Sequence, residues 1–163
     1  MRKIAVTGHR PNKLYGYNLK NEKWISLGFQ MRNFLKDRLN MYNEIECITG
    51  MALGVDQLFG LVALKLKKEN YNVKICSAIP CRGQELKWPN KDYWQRIYDN
   101  SDEIIYVHDG PYTNTCMQER NIFMVDRADE ILAVWNGTSG GTKNCIDYAK
   151  KQNKIITNIY NKV

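Results

Sequence analysis

The chain has 163 residues, enough for one domain around one core, and 44% hydrophobic with 25% charged residues excludes a disordered polypeptide. No apolar run approaches the roughly 18–20 residues that span a bilayer, and five scattered cysteines without a CxxC pair, beside two histidines, argue against structural zinc or a disulfide framework. The formal charge of +7 draws anions, yet the lysines form no long basic block, and several close helix candidates, where they offset the helix dipole.

In chain order, Met1-Arg2-Lys3 leads directly into a strand candidate, Lys3–Thr7, with no signal-peptide pattern, so a cytoplasmic protein is expected. The loop Thr7-Gly8-His9-Arg10-Pro11 follows. Glu22–Leu39 then places Trp24, Leu27, Met31, Phe34, Leu35 and Leu39 at helical spacing. The strand candidate Ile45–Thr49 runs into Gly50-Met51-Ala52-Leu53-Gly54-Val55-Asp56, and a helix is predicted over Asp56–Lys68. Val73–Ala78 is the third strand candidate, and the aperiodic stretch Pro80–Trp88 after it reads as a loop. A short helix, Asp92–Asn100, and a strand, Glu103–Val107, precede the helix Met117–Arg127. The strand Glu130–Trp135, the glycine-rich Asn136–Thr142, the helix Lys143–Gln152 and the strand Lys154–Ile159 complete the chain. Most strand candidates are continuous apolar runs, as in strands covered on both faces. Their alternation with helices predicts an α/β domain, single over 1–163, with a mainly parallel sheet.

Three glycine-bearing loops lie between a strand and a helix, where backbone N–H groups and a helix N-terminus meet an anion in an open parallel sheet. That pattern points to a nucleotide or nucleotide-derived ligand. Gly8, Gly50 and Gly54 let a ligand approach the backbone. Asp56 has two open roles, capping its helix and accepting from ribose hydroxyls. The loop has neither the GxGxxG spacing nor a Walker A Gly-Lys-Ser/Thr ending. In the last loop Gly137, Gly140 and Gly141 open the backbone, and Thr138, Ser139 and Thr142 offer hydroxyls, so the segment suits a phosphate nest or a plain β-to-α turn. Arg10 can hold a phosphate bidentately, and His9 can donate to it or exchange a proton. Trp88 or Tyr15 would stack on a base, while Tyr93 and Trp94 suit the core. Periodicity leaves Arg120 facing either solvent or the site. Cys47 and Cys76 read as core residues; Cys81 and Cys145 lie near loops.

Together these segments resemble the SLOG superfamily of Rossmann-like proteins. Thr49–Asp56 is similar to the Ser-Gly-x-Ala-x-Gly-Ile-Asp motif of the DNA-processing protein A family. Met117-Gln118-Glu119-Arg120-Asn121, Ala128-Asp129 and Gly140-Gly141-Thr142 resemble the Lonely Guy phosphoribohydrolases. The His-Arg-Pro loop, Ala78-Ile79-Pro80-Cys81, Gln84 and Trp88 in this order resemble the small single-domain YpsA-like branch, over nearly the whole chain. The resemblance implies a Rossmann-like three-layer sandwich with ligand at the strand carboxyl ends. It also implies a homodimer or higher homo-oligomer and recognition of a nucleotide or NAD/ADP-ribose-derived molecule, by a sensor or sequestering protein in anti-phage signalling. Lonely Guy enzymes pair an Arg with a Glu; Arg120 matches the Arg, but Cys145 stands where the Glu falls. Binding without efficient turnover is therefore expected. An N-glycosidase using Arg120 with Glu119 or Asp56 is the alternative, and single-stranded DNA binding, from the charge and the DNA-processing likeness, is the third reading. No metal, cofactor or membrane partner is expected.

Overall fold

The computed structural model describes residues 1–160; positions 161–163 of the expected single domain lie outside the described residues. Its elements are β1 (Arg2–Gly8), a 3-10 turn (Pro11–Lys13), α1 (Glu22–Tyr42), β2 (Ile45–Thr49), α2 (Val55–Lys68), β3 (Val73–Ile79), α3 (Asp92–Asp99), β4 (Glu103–Tyr106), α4 (Cys116–Arg127), β5 (Glu130–Val134), α5 (Gly141–Lys151) and β6 (Ile155–Asn158). All six strands form one sheet in the order β4-β3-β2-β1-β5-β6. Every neighbouring pair is parallel, with Ile4 opposite Cys47 on one side and Glu130 on the other. The architecture is Rossmann-like α/β, more uniformly parallel than the sequence required.

Period-two alternation along the strands feeds two cores. Ile4 and Val6 of β1 pack with Trp24, Leu27, Phe59 and Trp94 under α1, α2 and α3. Ala5 faces the opposite way and packs with Ile48, Val125 and Ala149 under α4 and α5. Trp24 and Phe59 are fully buried, and truncating either to alanine costs about 3–5 kcal/mol. No described helix is long and apolar enough to cross a membrane.

Local chemistry sets the element ends. Asn21 caps α1 by accepting from Trp24 N at 3.0 Å. The helix runs past Leu39 to Tyr42 and stops at Asn43, which takes a left-handed φ of 63°. β5 ends at Val134 rather than Trp135, whose N–H is taken by Asn158 Oδ1 at 3.1 Å. At the amino ends of the strands, buried Glu130 accepts from Arg2 Nε and Arg38 Nε, each at 2.7 Å. Beside it, Arg127 bridges Glu46 at 2.7 Å and Glu103 at 2.5 Å.

The chain leaves β1 through β2 and β3 to β4, then returns to lay β5 on the other side of β1. The loops after β1 and β5 therefore diverge to opposite faces and open a crevice at their carboxyl ends. That switch point is where parallel α/β sheets bind ligands.

Candidate functional site

A cavity of about 280 Å³ occupies the crevice, lined by Thr7, Gly8, His9, Arg10, Lys13, Asp56, Arg120, Asn121, Gly141 and Thr142 among others. Gly8 ends β1 where α2 begins, and a Cβ there would stand 2.6 Å from both methyl groups of Val55. The bare backbone lets the helix start against the strand. His9 is buried, and its Nε2 accepts from Asn136 N at 3.2 Å. That acceptor role makes the imidazole neutral with its proton on Nδ1, and burial lowers its pKa. Arg10 is exposed, with its guanidinium 3.9 Å from Met117 Sδ. Lys13, brought back by the 3-10 turn, donates to Ser139 O at 3.2 Å.

The second loop builds the floor. Met51 holds a left-handed φ of 66° although it is not glycine. Its N–H donates to Thr49 Oγ1 at 3.2 Å and its carbonyl accepts from Gln57 Nε2 at 3.3 Å, so neighbours enforce the strained turn. The turn aims the Gly50 carbonyl across the sheet, where it accepts from Gln84 Nε2 at 3.1 Å and from Arg120 Nη1. A Cβ at position 50 would stand 2.7 Å from Arg120 Cζ and from Asp56 Oδ2, so glycine is what admits both groups. Asp56 also accepts from Ala52 N at 3.3 Å. Burial pushes the Asp56 carboxyl up, with Arg120 pulling the other way; burial lowers Arg120, with Asp56 supporting its charge. Arg120 is buried and lines the cavity, the question its helix periodicity left open.

The glycine-rich loop divides. Gly141 and Thr142 line the cavity; Gly137, Thr138, Ser139 and Gly140 are exposed and lie outside its lining. The Thr138 hydroxyl bonds Asn136 Oδ1 at 2.6 Å, and its carbonyl accepts from Trp135 Nε1 at 2.8 Å. These residues fold the loop upon itself. The first helical bond of α5 runs from Asn144 N to Gly140 O at 3.0 Å. The N–H groups of Gly141, Thr142 and Lys143 precede it, and no described group accepts from them.

Arg10 also lines a second recess of about 550 Å³, with Pro11, Tyr17, Leu53, Trp88, Pro89 and Asn90. Gly54, at φ 89°, packs on Pro11. Trp88 lines this recess. Tyr15 does not: its ring meets Trp24 edge-on at 5.2 Å, and Tyr17 takes the place beside the recess. Trp94 is buried and donates to Gln84 Oε1 at 3.0 Å. Glu119 is exposed, accepts from Thr115 Oγ1 at 3.0 Å, and is absent from the cavity lining; Asp56 is the carboxylate that lines it. Cys145 is buried, its thiol pushed up by burial with a hydrogen bond from Thr7 pulling the other way, and burial together with Cys116 pushes Cys81 up to about 11. Sequence reasoning gave no site role to Lys13, Tyr17 or Asn121, although Asn121 stands in the motif Met117–Asn121. Lys13 had a signal, standing three residues after Arg10 in a proline-initiated turn.

This geometry has relatives. The model of the YspA SLOG family matches residues 4–161. The SPbeta prophage-derived protein YoqJ of Bacillus subtilis is 32% identical over 146 residues, covering 82% of this chain and 85% of that protein. A UPF0398 protein of Brevibacillus brevis is 28% identical, covering 87% of this chain and 77% of its own length. Among solved structures, DNA processing protein A of Streptococcus pneumoniae superposes with a TM-score of 0.66 at 16% identity, and that of Helicobacter pylori, described for its single-stranded DNA binding mode, with 0.63 at 17%. Each covers 95% of this chain, which spans 49% and 63% of theirs, and at these identities the likeness is one of fold. The match over 4–161, the YoqJ similarity and the shared sheet place the chain in the YspA SLOG family.

Proposed function

We propose that the protein binds a nucleotide or an NAD- or ADP-ribose-derived small molecule at the carboxyl ends of β1 and β5, as a sensor or sequestering protein. One observation carries this reading: a cationic cavity and an aromatic recess share Arg10. The recess, at about 550 Å³, has the volume of a small-molecule site, and the cavity of about 280 Å³ suits a phosphate-sized group. The cavity would take phosphate on Arg10, Lys13 and the free N–H groups of α5, with Asp56 near the sugar. Trp88 and Tyr17 would flank the base. Similarity to a prophage-derived protein favours a role in phage–bacterial signalling.

The test is a thermal-shift panel of nucleotides, NAD, ADP-ribose and its cyclic forms, with mass spectrometry of the recovered ligand. A ligand that stabilises the fold and returns intact supports binding. One that returns cleaved makes the protein an N-glycosidase, with Asp56 beside Arg120 as its carboxylate. No shift with any member removes the reading. A second reading, single-stranded DNA binding, draws on the Helicobacter neighbour. Its signature is affinity that grows with strand length and falls steeply with salt.

A further inference from the structure

From the charge of the cavity we infer that the protein takes a terminal phosphate monoester in preference to a phosphodiester. This rests on the nucleotide reading above and narrows it. The lining holds three cationic side chains, Arg10, Lys13 and Arg120, against one carboxylate, Asp56, which leaves two positive charges in excess. His9 adds none, because its Nε2 accepts from Asn136 N. Thr7, Asn12, Asn121 and Thr142 are neutral. A phosphate monoester carries about −1.5 to −2 at neutral pH with three terminal oxygens. A diester carries a single charge on two.

The donors on offer match the larger anion. Arg120 is buried and spends hydrogen bonds on Gly50 O and Asn121 Oδ1, so it supplies charge from the floor. Arg10 has no oxygen partner among the described residues. Lys13 has one, the Ser139 carbonyl. His9 Nδ1–H and the N–H groups of Gly141, Thr142 and Lys143 have no described acceptor. Three terminal oxygens take more of these donors than two, and the charge-assisted bonds that Arg10 and Lys13 offer favour the more highly charged anion.

The experiment is calorimetric titration of the full chain with the four common nucleoside 5′-monophosphates and with the methyl ester of each phosphate. The pairs share base and sugar and differ by one methyl group, which removes one ionisable charge and turns one terminal oxygen into an ester oxygen. NAD and ADP-ribose, whose phosphates are internal, are titrated alongside. At least tenfold tighter binding of one monophosphate than of its methyl ester is expected. That ratio should fall severalfold in Lys13→Gln and persist in Lys151→Gln, at the far end of α5. Equal affinity within a pair, or ADP-ribose binding more tightly than every monophosphate, overturns the inference and leaves the nucleotide reading standing. If no nucleotide of any kind binds, both fall.

Discussion

Both edges of the parallel sheet hold arginines close to carboxylates, and the two edges use them differently. At the amino edge Glu130 is 2% exposed and bonded by two arginines, while Arg127 closes on Glu46 and Glu103. Each charge has its opposite within ion-pair distance. At the carboxyl edge Asp56 and Arg120 crowd the same side of Gly50 without a direct ion pair between them. Among the described residues Arg10 has no carboxylate partner and three N–H groups of α5 have no acceptor, and Met51 is held in a strained turn. Closed pairs locate the charges that hold the fold. Under the proposed function, the open donors are the groups that a ligand would complete.

The sharpest way to break this contrast is Glu130→Gln, which leaves two arginines facing a neutral amide. A loss of about 3 kcal/mol is expected, low for a buried pair because the arginines are 19% and 20% exposed. Urea unfolding measures it, and ligand affinity should not change. Gly50→Ala tests the other edge from within. Its new methyl must displace Arg120 or Asp56, so overpacking of about 1–3 kcal/mol should appear in the melting curve together with weakened binding. Arg10→Ala should weaken nucleotide binding by about 1.5–3 kcal/mol, roughly ten- to hundredfold, and leave stability within about 0.5 kcal/mol. Unchanged affinity for every nucleotide would break the contrast outright. Trp88→Ala should cost about 1–2 kcal/mol of affinity through lost stacking, with Tyr15→Phe as a neutral control.

The smallest effect is one of pH. Hydrogen bonds from Arg127 hold the exposed Glu103 below its ordinary 4.5. A depressed carboxylate adds stability above its unfolded value and loses it as pH falls through the folded one. The urea midpoint should therefore drop below about pH 4.5, and part of that drop should vanish in Glu103→Gln.

The sequence by itself determined the order of strands and helices, because runs such as Ile131-Leu132-Ala133-Val134 must be covered on both faces and the turns between them are glycine-marked. It also pointed to the candidate cavity, since the loops of Gly8, Gly50 and Gly141 all follow strands at one end of a parallel sheet. What it left open depends on through-space packing. Arg120 stands 70 residues from the Gly50 carbonyl that orients it, and no helical periodicity encodes that bond. Tyr15 and Tyr17 differ by two positions, yet one is spent on Trp24 and the other borders the recess. Thr138 looks like a phosphate ligand, but Asn136 and Trp135 claim its polar atoms first. Local pattern decides which elements form; only the assembled sheet decides which donors are already used, because a hydrogen bond is settled by distance in space and not along the chain.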